Sequence, residues 1–269
     1  MRWVIGDVHG MLRPLEALID AIDDLDESAE LLFVGDYVNR GPDSRGVLDL
    51  LSDIDGARFI RGNHDDVFDL LVNGTCYAPH PAYSDPVGAF SMFMQHGLDR
   101  TLLSYGVDPA DMERTMKRAD EDSIRRLMSV VPKSHRAFIR SLPVVIEYDD
   151  LFIAHGLVDP NESPDRPSLS TLLERDERHR RNIIWGRYTP EQILQTKAWQ
   201  RPGFFGHTPV DTYPEMLRNG GMFPAVGPMI TPLDNACALQ ENGCLTAVCP
   251  DARSMLQVDR RGRTIVGSP

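Results

Sequence analysis

Five short motifs rich in glycine, aspartate and histidine each follow a run of apolar, β-prone residues. The first such run is Trp3-Val4-Ile5, and Gly6–Gly10 comes directly after it. Open α/β sheets collect ligand-binding groups in loops at the carboxyl ends of parallel strands, so we expect the motifs to meet at one sheet edge. Along the chain they are Gly6-Asp7-Val8-His9-Gly10, Gly35-Asp36-Tyr37-Val38-Asn39-Arg40-Gly41, Gly62-Asn63-His64-Asp65, Ala154-His155-Gly156 and Gly206-His207-Thr208.

Residues 1–65 alternate between strand-like and helix-like segments. Leu15 and Leu18 belong to an apolar series at helical spacing after the first motif. Asp43 or Ser44 is a candidate N-cap for a second helix after the second motif. Strands and helices that alternate with short links favour right-handed crossovers and a parallel sheet.

Residues 66–142 interrupt this alternation with several helical patterns, and we interpret them as a mostly helical insertion beside the site. Strand-like segments return after Pro143, and the late ones, such as Ala236–Leu239, follow each other closely. Their spacing favours a second, largely antiparallel sheet packed on the first. We therefore predict an α/β fold in a single domain over residues 1–269, with the helical insertion at about 66–142.

Composition narrows the classes of partner. The formal net charge is −12, so a broad basic surface for nucleic acid is not expected. No apolar run approaches the roughly 20 residues that span a bilayer, so no membrane partner is expected. Trp3-Val4-Ile5 already resembles a strand, which leaves no room for a charged leader and predicts a cytoplasmic protein. The four cysteines form no C-x-x-C pair and are interpreted as free thiols.

The motifs supply the ligands for two cations. Asp7 and His9 are two positions apart at a strand end, so their side chains leave on the same face and can grip one cation. Asp36, at the end of the neighbouring strand, can bridge two cations with its carboxylate. A second cation would be held by an amide oxygen and two imidazoles, from Asn63, His155 and His207.

The donor set indicates which metals fit. Nitrogen and oxygen ligands without a thiolate suit manganese, iron or zinc, and argue against copper(I) or an iron–sulfur cluster. Each motif alone is weak evidence, because a lone loop histidine more often packs or faces solvent than binds metal. Five motifs in order, each closing a strand, together predict two divalent metal ions. The histidines outside the motifs are expected in loops or at the surface: His80, His96, His135 and His179.

The ordered array D-x-H, G-D-x-x-x-R-G, G-N-H-[DE], H-G and G-H resembles the calcineurin-like metallophosphoesterase superfamily. The longer forms Gly35–Gly41 and Phe59–Asp65 are similar to its phosphoprotein phosphatase branch, which includes bacterial serine/threonine phosphatases and symmetric diadenosine tetraphosphate hydrolases. The resemblance extends from residue 1 to about 250 and implies a four-layer α/β/β/α sandwich with a dinuclear site at the strand ends.

The resemblance also implies roles for individual residues. Asp7, His9 and Asp36 would bind one metal, and Asp36 would share the other with Asn63, His155 and His207. His64 would donate a proton to the leaving oxygen. The guanidinium groups of Arg40 and of Arg187, in Ile184-Trp185-Gly186-Arg187, would bind phosphate oxygens and developing charge.

Two positions depart from the family pattern. Asn39 stands where family members usually carry an aspartate that pairs with the residue matching His64. An amide can orient the imidazole but does not raise its pKa as a carboxylate would, which shifts the enzyme toward good leaving groups or lower pH unless Asp65 or Asp66 takes that role. The other departure is Leu233-Asp234-Asn235-Ala236-Cys237, where relatives often have Asp-Thr-Gly, and we interpret this loop as drifted.

These patterns favour a metal-dependent phosphatase acting on phosphomonoesters, with phosphoserine or phosphothreonine in proteins as the predicted target. The alternative is hydrolysis of dinucleoside polyphosphates or of similar caps on RNA ends. A non-catalytic scaffold that has kept its metal ligands is a third hypothesis. It depends on Asn39 and is opposed by the presence of His64, Arg40 and Arg187.

Overall fold

The computed structural model describes residues 1–80, 82, 85–162, 169–217 and 221–267 and contains two β-sheets. The strands are β1 (Arg2–Ile5), β2 (Glu30–Phe33), β3 (Arg58–Phe59), β4 (Val145–Glu147), β5 (Phe152–Ala154), β6 (Gly203–Phe205), β7 (Ile230–Pro232), β8 (Cys244–Cys249), β9 (Ser254–Asp259) and β10 (Thr264–Gly267). The helices are α1 (Leu12–Asp23), α2 (Ser44–Asp53), α3 (Asn63–Asn73), α4 (Pro86–Met94), α5 (Leu98–Ser104), α6 (Pro109–Arg118), α7 (Glu121–Met128), α8 (Lys133–Ser141), α9 (Leu169–Arg175), α10 (Glu177–Trp185) and α11 (Pro190–Gln195).

The first sheet has the strand order β10-β9-β8-β1-β2-β3. Its strands β1, β2 and β3 are parallel, with Val4 opposite Leu32 and Phe33 opposite Phe59. The carboxyl ends of these three strands therefore meet at one edge, as the alternation in residues 1–65 predicted.

The late strands correct the prediction of a second antiparallel sheet. Strands β8, β9 and β10 are antiparallel to one another, but they join the first sheet, where β8 pairs with β1. The second sheet has the order β4-β5-β6-β7 and is mainly parallel, with β4 alone running opposite to its neighbour. Close spacing along the chain predicts a hairpin, but it does not predict which open sheet edge the hairpin joins.

The predicted strand at Ala236–Leu239 was wrong. This segment forms turns, and Ala236 makes only an isolated bridge to Cys244. Ala236 has a φ of 55°, in the left-handed region, which interrupts an extended strand.

Three buried clusters define four layers. Val4 and Leu32 of the first sheet pack against Ile153 and Phe204 of the second, so this cluster lies between the sheets. A second cluster joins the outer face of the first sheet to α1–α8, and a third joins the outer face of the second sheet to α9–α11. The α/β fold with an α/β/β/α layer order is thus confirmed.

Local sequence explains the first two helices. In α1, Leu15, Leu18 and Ile22 are buried on one face, which is the periodicity of an amphipathic helix. Helix α2 has Asp43 as its N-cap, and the aspartate side chain accepts a hydrogen bond from the backbone N–H of Gly46. Both elements follow the predicted pattern.

Between β3 and β4 the described residues form the six helices α3–α8, and no strand of the described chain lies among them. The helical character predicted for residues 66–142 is present, although α3 already begins at Asn63. Among the described residues, no helix combines the length and the apolar character that a bilayer crossing requires.

Candidate metal centre

The six predicted metal ligands come together below the surface. They follow β1, β2 and β3, which are parallel to one another in the first sheet, and β5 and β6, which are parallel to each other in the second. Each is at least 95% buried: Asp7, His9, Asp36, Asn63, His155 and His207. Local strand-to-loop order places the six side chains at strand ends, and packing of the two sheets brings them together.

The backbone at the site is strained. His9, Asp36 and His207 have φ values of 46°, 57° and 69°, and Asn39 and Arg40 have 72° and 66°. Left-handed backbone is unfavourable for side chains with a Cβ and persists where the surrounding structure holds it. Such residues concentrate where side chains must be aimed at a common point, as they are here.

The first group of predicted ligands is Asp7, His9 and Asp36. His9 Nδ1 donates a hydrogen bond to the carbonyl oxygen of Val38 at 3.0 Å, so its Nε2 carries the lone pair. That Nε2 lies 3.4 Å from Asp36 Oδ2 and 3.9 Å from Asp7 Oδ2. Burial, followed by the nearby guanidinium of Arg40, lowers the pKa of His9 to about 3, which keeps the imidazole neutral, as a metal ligand must be.

The second group meets the first at Asp36. His155 Nε2 lies 3.4 Å from Asp36 Oδ1 and 3.0 Å from Asn63 Oδ1. His207 Nδ1 lies 2.7 Å from the same amide oxygen. The two oxygens of Asp36 thus face different histidines, Oδ2 toward His9 and Oδ1 toward His155, which is the arrangement of a bridging carboxylate.

The surroundings of His207 fit a cation. Its Nδ1 faces Asn63 Oδ1, and its Nε2 faces the carbonyl oxygen of Trp185 at 3.1 Å. Burial lowers the pKa of His207 well below its usual value, so the ring is neutral and has one N–H for two acceptors. A cation held between Nδ1 and the amide oxygen would satisfy both atoms while Nε2–H donates to Trp185.

Two glycines make room for the carboxylates. A Cβ at Gly62 would lie 2.1 Å from Asp36 Oδ1, and a Cβ at Gly206 would lie 2.1 Å from Asp7 Oδ1. Any side chain at either position would displace the carboxylate, which explains why the motifs need glycine at these positions.

Asp36 and His155 each favour the charged form of the other. Burial alone would raise the pKa of Asp36, but His155 and then His64 lower it well below its usual value. Burial likewise disfavours the imidazolium of His155, but Asp36 outweighs it and raises the pKa of His155 to about 9. A metal ion would take the place of this proton, because both bind the same nitrogen.

Asn39 and His64 are in direct contact, as the sequence predicted for the residue at position 39. Asn39 Nδ2 lies 2.9 Å from His64 Nδ1, and Asn39 Oδ1 accepts a hydrogen bond from Thr101 Oγ1 at 2.9 Å. Thr101 thereby orients the amide so that its NH₂ group faces the imidazole. Burial lowers the pKa of His64 well below its usual value, and the nearby Asp36 offsets only part of this effect.

The two carboxylates considered as substitutes for Asn39 are engaged elsewhere. Asp65 accepts hydrogen bonds from the backbone N–H groups of Asp36, Tyr37 and Gly62. Asp66 binds the Arg61 guanidinium and accepts from the backbone of residues 77 and 78. These bonds anchor the loops around the site, so the alternative in which either carboxylate pairs with His64 is not supported by the geometry.

The two predicted phosphate-binding arginines lie at the edge of the cluster. Arg40 Nη1 donates to His9 Nε2 at 2.8 Å and is partly exposed. Arg187 Nη1 donates to the carbonyl oxygen of His207 at 3.2 Å, and the residue is exposed. Both guanidinium groups are therefore tied to residues of the cluster and can be reached from solvent.

The sequence interpretation missed Asp234. This residue is 2% exposed, and its carboxylate groups with Asp7 and His9 in a cluster whose ligand atoms all lie within 4.8 Å of one another. Its loop was interpreted as drifted, but Asp234 follows β7 as the other motif residues follow their strands. The available signal was an aspartate two residues after the short segment Ile230-Thr231-Pro232, which forms β7.

A model of the calcineurin-like phosphoesterases matches residues 2–210. The chain belongs to the calcineurin-like phosphoesterase family. The matched range includes every site residue predicted from the sequence, from Asp7 to His207. It ends before Asp234.

Symmetrical bis(5'-nucleosyl)-tetraphosphatases are among the curated relatives of this calcineurin-like phosphoesterase. The protein of Coxiella burnetii (strain Dugway 5J108-111) is 38% identical over 87 residues, which are 32% of this chain and 29% of the relative. The protein of Legionella pneumophila (strain Corby) is 40% identical over 80 residues, 29% of each chain. The matched segments thus span less than a third of the relatives' length.

Two solved structures share the fold over nearly the whole chain. A protein provisionally identified as a diadenosine tetraphosphatase superposes with a TM-score of 0.53 at 20% identity and covers 96% of this chain and 92% of its own. A cold-active protein-tyrosine phosphatase of a psychrophilic Shewanella species superposes with a TM-score of 0.51 at 15% identity, covering 98% and 79%. At these identities the superpositions establish the fold alone.

Proposed function

We propose that this phosphoesterase is a metal-dependent hydrolase that cleaves the phosphoanhydride chain of dinucleoside polyphosphates such as diadenosine tetraphosphate. The contact between Asn39 and His64 carries the choice of substrate class. Two divalent ions, with manganese as the preferred metal and iron or zinc as alternatives, would be held by Asp7, His9, Asp36, Asn63, His155 and His207.

The two ions would supply an activated water and Lewis acidity toward the phosphoryl oxygens. Side chains of the protein would bind the substrate and stabilise the transition state. Arg40 and Arg187 bind the non-bridging oxygens through planar guanidinium forks and stabilise charge in the transition state. The water oxygen bonds to phosphorus, the anhydride P–O bond breaks, and symmetrical cleavage of the tetraphosphate yields two nucleoside diphosphates.

His64 and Asn39 favour a leaving group that needs little protonation. The amide NH₂ of Asn39 donates to His64 Nδ1, so the remaining ring proton is on Nε2 of a neutral imidazole. A neutral imidazole is a weaker acid than an imidazolium paired with a carboxylate. A nucleoside diphosphate leaves readily as an anion, whereas the alkoxide of serine requires a proton as it departs.

The preference for a leaving group that needs little protonation weighs against phosphoserine and phosphothreonine, the targets that the sequence favoured. Phosphoserine and phosphothreonine proteins remain the second candidate, because the long motif forms resemble the phosphoprotein phosphatase branch. Caps on RNA ends share the anhydride chemistry of the first candidate. The names of the two curated relatives described above also support the dinucleoside polyphosphate.

A parallel assay with manganese separates these candidates. We expect kcat/KM for diadenosine tetraphosphate to exceed that for a phosphoserine peptide by at least about 10-fold, a difference of about 1.4 kcal/mol in transition-state stabilisation. His64→Ala should lower turnover of the peptide by about 10²–10⁴ and that of p-nitrophenyl phosphate, whose leaving group is activated, by less.

Two outcomes of this assay would contradict the proposed function. A phosphopeptide hydrolysed faster than diadenosine tetraphosphate would return the assignment to a protein phosphatase. A protein that takes up manganese but turns over none of these substrates, p-nitrophenyl phosphate included, would favour the non-catalytic scaffold.

A further inference from the structure

Asp234 lies at the carboxyl-end edge of the second sheet, as the predicted ligand His207 does. It follows β7, which is parallel to β6, and His207 follows β6. The backbone carbonyl of Asp234 accepts a hydrogen bond from Val210 N at 2.8 Å, which ties the two loops together. Its position is thus set by the same strand-end geometry that places the ligands.

Two buried carboxyl oxygens at this place have no hydrogen-bond partner. Asp234 Oδ1 accepts from Ala236 N at 3.0 Å, whereas Oδ2 has no partner. Asp7 Oδ2 accepts from His207 N at 2.9 Å, whereas Oδ1 has none. Buried polar atoms are nearly always bonded, so one unpartnered oxygen on each of two neighbouring buried carboxylates indicates a missing positive partner.

The spacing suits a metal ion. Carboxylate oxygens and imidazole nitrogens lie about 2.0–2.2 Å from a bound transition metal, so atoms that share an ion lie within about 4.4 Å of one another. The ligand atoms of Asp7, His9 and Asp234 all lie within 4.8 Å of one another, close to that requirement. A small closing movement would bring all three onto one ion.

Arg40 forms no hydrogen bond with either unpartnered oxygen of this pair of carboxylates. Its guanidinium contacts the site through His9 Nε2 at 2.8 Å, and neither Asp7 Oδ1 nor Asp234 Oδ2 receives a hydrogen bond from it. The nitrogen that Arg40 contacts is the one that would bind the metal. A cation between His9, Asp7 and Asp234 would therefore satisfy three atoms at once.

We propose that Asp234 is a further carboxylate ligand of the first metal position, beside Asp7, His9 and Asp36. The inference depends on the dinuclear centre of the proposed function and extends it. The first position then has three carboxylates and one imidazole, whereas the second has the shared carboxylate, an amide and two imidazoles. The oxygen-rich first position favours manganese over zinc.

The test compares Asp234→Asn with the parent protein by metal binding, independently of turnover. Asparagine keeps the side-chain volume and the oxygen that accepts from Ala236 N, and it removes the charge. After removal of metal with a chelator and titration with Mn²⁺, we expect the parent to bind two ions per chain. The variant should bind its first-position ion about 10–100-fold more weakly, the scale on which ligand environments tune affinity.

Asp108→Asn is the matched control. Asp108 Oδ1 also accepts the backbone N–H two residues ahead, from Ala110, but it caps α6 outside the metal centre. The control should bind Mn²⁺ as the parent does. The manganese-induced rise in Tm should be smaller in Asp234→Asn and unchanged in Asp108→Asn.

Equal Mn²⁺ affinity and an equal rise in Tm for parent and Asp234→Asn would overturn the inference and leave the dinuclear centre intact. A parent that binds no Mn²⁺ would overturn the centre as well. Should Asp234→Asn not fold, the anomalous scattering of manganese in crystals of the parent decides the question. A peak at coordinating distance from Asp234 Oδ2 supports the ligand, and a first-position peak without that contact contradicts it.

Discussion

Asn39 is the hydrogen-bonding partner of His64, the proposed proton donor. Its amide is held by Thr101 Oγ1 on one side and reaches His64 Nδ1 at 2.9 Å on the other. Thr101 Oγ1 also accepts from Asn39 N at 2.9 Å, so the side chain and backbone of Asn39 are fixed by one hydroxyl. An aspartate at position 39 would fit the same space, because its carboxylate has the shape of the amide.

Asn39→Asp should convert His64 into a stronger acid. A carboxylate would accept Nδ1–H and raise the pKa of His64, so the protonated ring would persist to higher pH and the alkaline limb of the pH–rate profile would move upward. The gain should be largest for a phosphoserine peptide, because its alkoxide most needs a proton. Profiles on the peptide and on p-nitrophenyl phosphate measure the effect.

Asn39→Asp combined with His64→Ala is the control for this prediction. Without the imidazole, the new carboxylate has nothing to polarise and the double variant should behave as His64→Ala alone. A peptide profile of Asn39→Asp that overlays that of the parent would show that position 39 orients His64 without tuning its acidity.

Helix α3 and its neighbours are joined by a buried ionic group at Arg61. Arg61 Nη1 contacts Asp66 Oδ1 at 2.9 Å and Asp69 Oδ2 at 2.8 Å, and Nη2 donates to the carbonyl oxygen of Ile139 in α8. Arg61 is 5% exposed, so these contacts are shielded from water. The group connects the end of β3, which leads into the metal centre, to two helices of the 66–142 region.

Arg61→Met should destabilise the protein by about 3–5 kcal/mol, since it leaves two buried carboxylates without their cation. Urea unfolding of the metal-free protein measures the change. Lys117→Met is the control: its ion pair with Glu113 is 74% and 66% exposed and should contribute no more than about 1 kcal/mol. Equal losses in the two variants would show that the buried group contributes no more than a surface pair.

His135 also connects helices through side-chain contacts, although it was expected in a loop or at the surface. It lies in α8 and is 2% exposed. Its Nδ1 contacts Tyr105 Oη at 2.7 Å, and its Nε2 contacts Asp49 Oδ1 of α2 at 2.9 Å. The prediction was wrong because burial of a helical histidine depends on which helices pack against it.

At the scale of the whole molecule, the proposed metal ions would join both sheets. Ligands follow β1, β2 and β3 of the first sheet and β5 and β6 of the second. Metal binding should therefore stabilise the fold as one unit, because the unfolded chain does not hold these residues together.

Mn²⁺ should raise the free energy of unfolding by about 2.7 kcal/mol when its free concentration is 100 times the dissociation constant. Urea titrations with Mn²⁺ and with a chelator give the difference. Asp36→Asn should lose most of this difference together with nearly all activity, because Asp36 faces both ligand groups. Full stabilisation in Asp36→Asn would contradict its role as the bridge.

Much of the candidate site could be predicted from sequence because its information is local. Each predicted ligand lies within a few residues of an apolar strand, as Asp7 does after Ile5 and His155 does within two residues of Ile153. Parallel pairing of the strands then brings their carboxyl ends to one edge of the sheet. The α/β class and the contact between Asn39 and His64 followed from the same local motifs and the family they resemble.

The remaining features depend on contacts between distant parts of the chain. His207 N binds Asp7 Oδ2 across 200 positions, and the pairing of β8 with β1 brings the late strands to the first sheet. Asp234 lies beside Asp7 and His9 because β7 pairs with β6 in the second sheet, a contact that no local pattern specifies. The sequence by itself determined which side chains could hold metal, because position at a strand end is a local property. Tertiary structure decided which of these side chains meet, because packing of the two sheets sets distances that no local pattern contains.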